Sequence, residues 1–101
     1  MDEKFHELAK SIVSLQKEAV KQTLLACEPE VDRIISSDSR DENAIEHTLD
    51  ALCEVAFDKE VLILFKKLCG YYYNINPVAT AEQIQFYREM WDNEEGNNSY
   101  E

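Results

Sequence analysis

Glycine and proline are scarce, with two of each in 101 residues. An all-β sandwich needs turn residues at every chain reversal and cannot be built from so few. The glycines, Gly70 and Gly96, stand too far apart to form a loop that cradles phosphate. No G-x-x-x-x-G-K, G-x-S-x-G or H-E-x-x-H motif occurs. Basic side chains are also in short supply: 10 against 21 acidic ones, for a formal net charge of -11. That balance opposes direct binding to a nucleic-acid backbone or an anionic membrane. The most apolar stretch runs only from Val61 to Phe65, far short of the roughly 20 residues a membrane span requires. The opening Met1-Asp2-Glu3-Lys4 lacks the basic and then apolar segments of a secretory leader, so none is expected.

Cysteine is limited to Cys27, Cys53 and Cys69. An odd number at wide spacing predicts no disulfide framework and a reducing, cytoplasmic setting. Each falls on an apolar helical stripe and is expected to behave as a small buried hydrophobe. Metal ligation has little to work with, since there is no C-x-x-C and only His6 and His47 are available as imidazoles. Glu3-Lys4-Phe5-His6 is a single E-x-x-H, whereas di-iron helical proteins need two such motifs and two further glutamates. No catalytic residue, cofactor or metal is expected.

What the chain does have is helical periodicity. Phe5, Leu8, Ile12, Leu15, Ala19, Thr23 and Cys27 recur at intervals of three and four and predict a long amphipathic helix over 3–27. Glu28-Pro29 is expected to interrupt it, with a short helix to about Ser36 or a kinked continuation beyond. Residues 42–56 form the next predicted helix, with Ile45, Leu49, Leu52, Cys53 and Ala56 inward. Asp58 is placed to cap a helix over about 59–74 that is apolar nearly all round at its start. Thr80-Ala81-Glu82-Gln83 matches a capping box, which predicts a last helix over about 81–92. The sum is an all-α fold. A single small domain over 1–92, a four- to five-helix bundle with a long N-terminal helix, precedes a flexible acidic tail over 93–101. The long helix is expected to pack against both 42–56 and 59–74.

The acidic excess is localised. Residues 1–27 balance four acids with four bases. Residues 28–60 carry eleven acids and three bases, net -8, and residues 80–101 six acids and one arginine, net -5. Between them, residues 61–79 hold two lysines and no acid. Within 42–56, Glu42, Glu46, Asp50 and Glu54 follow one another at intervals of four, with no Lys or Arg between Asp41 and Asp58. Like charges so spaced on a helix cost about 0.2–0.5 kcal/mol per pair. Two readings follow: a face that only keeps the protein in solution, or a surface that docks a basic partner. Carboxylates about 6 Å apart have roughly half the charge density of one DNA strand. A decoy standing in for phosphates is therefore admissible only if other acids fill in.

The last third is aromatic: Tyr71, Tyr72, Tyr73, Phe86, Tyr87 and Trp91. Adjacent helical positions lie about 100° apart, so three consecutive tyrosines cannot all face one core. The cluster predicts either a lock for the last helix or an association surface made of Tyr71, Tyr72, Tyr73, Tyr87 and Trp91.

In composition and charge the chain resembles small acidic helical proteins that inhibit nucleic-acid enzymes. The leading expectation is a non-enzymatic interaction module, an inhibitor or DNA-mimic decoy. It would bind a basic protein surface, such as that of a nucleic-acid-binding protein, through Glu42, Glu46, Asp50 and Glu54. It would bind no nucleic acid directly and no membrane. The alternative is a structural or assembly adaptor, homodimeric through the aromatic surface, whose charge serves only solubility.

Overall fold

The computed structural model describes residues 2–91. Among the described residues the fold is all-α, with four helices and no strand: α1 Asp2–Ser36, α2 Glu42–Cys53, α3 Lys59–Tyr73 and α4 Pro77–Trp91. The expected tail over 93–101 lies outside the described residues. α1 packs on α2 and α3, α2 packs on α3 and α4, and α3 packs on α4. The core is built from Val31, Ile34, Ile45, Leu49, Leu52, Val61, Leu68 and Tyr72, all fully buried. Among the described residues no helix is long and apolar enough to cross a membrane.

The expected break at Glu28-Pro29 does not occur, and α1 runs through Pro29 for 35 residues. Pro29 cannot donate to the carbonyl four residues back, at a cost of about 3 kcal/mol. Burial on the other face offsets it. Leu24, Cys27, Val31 and Ile34 face the core at intervals of three and four, in phase across the proline. Pro29 itself is exposed, so water can reach the carbonyl it leaves unbonded. The helix then stops where Asp38 adopts a φ of 57°.

The expected packing of the long helix holds only for its second half. Residues 3–19 are exposed throughout, and Val20 is the first to be partly covered. α1, about 52 Å long at 1.5 Å per residue, spans nearly the whole 54 Å long axis of the molecule. Its first half therefore projects beyond the packed body.

Helix starts follow side-chain capping. Asp41 accepts from Ala44 N at α2, and Asp58 accepts from Glu60 N and Val61 N at α3, as its position predicts. α2 ends at Cys53, three residues earlier than expected, and Val55 and Ala56 stay buried in the turn that follows. The capping box at Thr80 does not form. α4 begins at Pro77, whose fixed φ suits a first helical position, and Asn76 Oδ1 accepts from Ala79 N at 3.0 Å. Thr80 is already inside the helix and donates its hydroxyl to the Asn76 carbonyl at 2.8 Å. Pro77 and Asn76 thus provide an earlier and better-preorganised start.

Gly70 lies within α3, and a Cβ added there would meet nothing within 4 Å. No neighbouring helix needs its small size. Gly70→Ala is expected to stabilise the fold by about 0.5–1 kcal/mol through lower unfolded-chain entropy. An unchanged or lower urea midpoint would count against this.

All three cysteines are buried free thiols. Burial raises the thiol pKa of each, and Cys69 is pushed up to about 11 from 9.0. A folded-state pKa above the unfolded one gives stability that is complete below the unfolded value and lost as pH rises through the folded value. Resistance to urea is therefore expected to fall between about pH 9 and 11. Cys69→Ala should flatten that decline, and an unchanged slope in the variant would contradict the assignment.

Candidate protein-docking groove

The four acids at intervals of four begin at the margin of the α2 core face and walk off it. Each four-residue step overshoots a whole turn by about 40°. Glu42 and Glu46, at the start, stay close to α3. The Tyr72 hydroxyl donates to Glu46 Oε2 at 2.5 Å and to Glu42 Oε1 at 3.3 Å. Asn76 Nδ2 donates to Glu42 Oε1 at 3.0 Å. Burial pushes the Tyr72 phenol above its ordinary range, and the two carboxylates beside it add to the shift. This half of the stripe holds the end of α3 and the start of α4 onto α2.

Asp50 and Glu54 have turned toward α4 instead. With Cys53 they form one wall of an open groove of about 480 Å³, whose other wall is Gln83, Phe86, Glu89 and Met90. Gln83, Phe86 and Met90 recur at intervals of three and four and so share one face of α4. Glu89 adds a third carboxylate and accepts from Gln85 Nε2 at 3.2 Å. Gln83 is only 6% exposed, and its buried Oε1 has no hydrogen-bond partner.

The groove acids sit where the fold gains nothing from them. Asp50 lies in the last turn of α2 and Glu54 is its C-cap, and no basic residue occupies that turn. The helix dipole favours cations there, by about 0.3–1 kcal/mol each at exposed positions. The two acids also repel each other at four-residue spacing.

The aromatic residues are mostly turned inward. The Tyr71 hydroxyl donates to the Ser39 carbonyl at 2.6 Å. Tyr72 is fully buried. Tyr87 stacks on Phe65, with ring centroids 5.7 Å apart. Trp91 Nε1 donates to the Cys53 carbonyl at 2.7 Å, and its ring meets Phe57 edge-on at 5.3 Å. That carbonyl, in the last turn of α2, also accepts from Ala56 N at 3.3 Å. Only Tyr73 of the five presents most of its surface, 61%. Tyr71, Tyr72, Tyr87 and Trp91 tie α3 and α4 to the rest of the fold through these contacts, while Trp91 keeps 38% of its surface exposed.

On the far side of α4 a second, more apolar groove of about 540 Å³ lies against α3, with Lys66 and Arg88 among its lining. The two grooves differ in charge sign, so α4 separates an acidic side from a mildly basic one. Among the described residues no three His, Cys, Asp or Glu side chains gather to hold a metal ion. His6 and His47 are both exposed.

The fold and groove define an all-helical protein with an acid-lined surface cleft. No protein-family model, curated protein or solved structure matches the chain.

Proposed function

We propose that the chain is a non-enzymatic helical interaction module that docks a basic surface of a partner protein on the α2–α4 groove. Asp50, Glu54 and Glu89 attract the cation, and Phe86 and Met90 cover the aliphatic stem. An arginine side chain suits this set best, because it combines several fixed donors with an apolar stem and flat face. The observation that carries the reading is the placement of Asp50 and Glu54 at a helix C-terminus in one groove with Glu89, where they lower stability. Residues that break local rules without structural gain are expected at functional positions.

An inhibitor or decoy of a nucleic-acid-binding protein is the natural form of this activity, since such proteins carry arginine-rich surfaces. Glu89 from the neighbouring helix supplies charge that the single α2 stripe lacks. Three free cysteines in the core suit a reducing cytoplasm.

Titration of the ¹⁵N-labelled protein with a short arginine-containing peptide tests the reading. Amide shifts are expected to centre on Asp50, Glu54, Gln83 and Glu89. Shifts centred on Glu42 and Glu46, or spread over all acidic residues, would overturn it.

A further inference from the structure

The first half of α1 carries an apolar stripe that the packed body does not use. Phe5, Leu8, Ile12, Leu15 and Ala19 alternate three- and four-residue steps, which is the seam of a coiled coil. Phe5 is 73% exposed and Leu15 69%, and Leu8 and Ile12 are more than half exposed. The residues that face the body, Val20, Leu24, Cys27, Val31 and Ile34, lie on a different side of the same helix. At about 100° per residue the two stripes are offset by roughly 100°. The exposed seam therefore points away from the line along which α2 and α3 pack.

The geometry points to a second copy of this chain as the occupant, paired antiparallel through α1. Matching seam to seam places Phe5 against Leu15 of the partner subunit and Leu8 against the partner's Ile12, with the symmetric pairs completing four apolar layers. In an antiparallel pair the positions just before Phe5, Ile12 and Ala19 meet each other along one side of the interface, and those just after Leu8 and Leu15 along the other. Lys4 then faces the partner's Glu18, twice by symmetry, and two small residues, Ser11 and Ala9, flank the dyad. The alternative antiparallel register, one heptad along, sets Gln22 against the partner's Phe5 and leaves Lys4 facing the partner's Leu25. A parallel pair matches no opposite charges.

Charge also selects the orientation. Residues 1–27 are net neutral, whereas the rest of the chain carries the whole -11. An antiparallel pair sets the two acidic bodies about 30 Å apart, taken from Val20 to its equivalent along the helix axis. That is well beyond the Debye length of about 8 Å at physiological salt. A parallel pair would press them side by side.

Sedimentation equilibrium of the full chain over about 1–300 μM tests the proposal. A reversible dimer of twice 11.7 kDa is expected. Ile12→Glu should give a monomer at every concentration with an unchanged urea midpoint at low concentration, because Ile12 lies outside the core. Lys4→Glu should weaken the dimer at least fivefold, and Lys4→Glu combined with Glu18→Lys should restore it. A wild-type monomer throughout, a dimer that survives Ile12→Glu, or a charge swap that fails to restore association would each overturn the antiparallel pairing.

Discussion

Tyr72→Ala is expected to lower folding stability by about 3–5 kcal/mol, the usual cost of deleting a buried aromatic ring. Among the described residues Tyr72 is the largest fully buried side chain. Its ring is fully buried on α3, and its hydroxyl donates to Glu46 and Glu42 of α2 from inside the fold. A domain of this size holds only about 5–10 kcal/mol in total, so the variant should unfold at modest urea or fail to fold at 37 °C. Tyr72→Phe separates the two contributions. It keeps the ring and removes one donor to two carboxylates, which should cost about 1.5–3 kcal/mol. Tyr73→Ala, one residue on and largely exposed, should stay within about 0.5 kcal/mol of wild type. Equal losses for Tyr72→Ala and Tyr73→Ala in urea titrations would contradict the assignment of the tyrosines.

The second large effect is on binding. Asp50→Lys combined with Glu54→Lys is expected to weaken capture of a basic partner at least 100-fold, which corresponds to about 2.8 kcal/mol. Reversal replaces two attractions with two repulsions inside a groove that also holds Gln83 and the stems of Phe86 and Met90. The same variant should be slightly more stable than wild type. It turns the Glu46–Asp50 repulsion into an attraction, leaves like charges facing each other at 50 and 54, and brings cations to the C-terminus of α2, the favourable changes each worth a few tenths of a kcal/mol to about 1 kcal/mol. Loss of binding with a gain in stability is the signature of residues kept for an activity. Titration calorimetry and urea denaturation on the same preparation would reveal both, and a destabilised variant that still binds would contradict the account.

Much of the fold was legible in the sequence. The apolar periods located all four helices, and the aspartates before α2 and α3 marked their starts. Two boundaries were misread for the same reason: a local signal competed with a longer-range one. Pro29 signals a stop, yet the core stripe keeps its phase from Leu24 to Ile34, and burial decided the outcome. Thr80 to Gln83 reads as a helix start, yet Asn76-Pro77 provides one earlier.

The site was only half legible. The run from Glu42 to Glu54 was visible as a row of charge. Its division into a structural half on Tyr72 and an open half facing α4 depends on a drift of about 40° per step and on where α4 lies. Gln83, Phe86, Glu89 and Met90 belong to the groove through tertiary packing. Their three- and four-residue spacing was the one available signal, and it did not show which helix they would face. Nor could an aromatic count show that Tyr71, Tyr72 and Trp91 spend their polar atoms on Ser39, Glu46 and Cys53.

The groove account is tested most directly by comparing two variants of equal net charge. Asp50→Lys with Glu54→Lys, and Glu28→Lys with Glu82→Lys, each bring the formal charge from -11 to about -7. Affinity for an arginine-containing peptide, measured by titration calorimetry at two salt concentrations, should collapse in the first and change only slightly in the second. Equal losses in the two variants would mean that net charge alone attracts the peptide, and would contradict a docking site between α2 and α4.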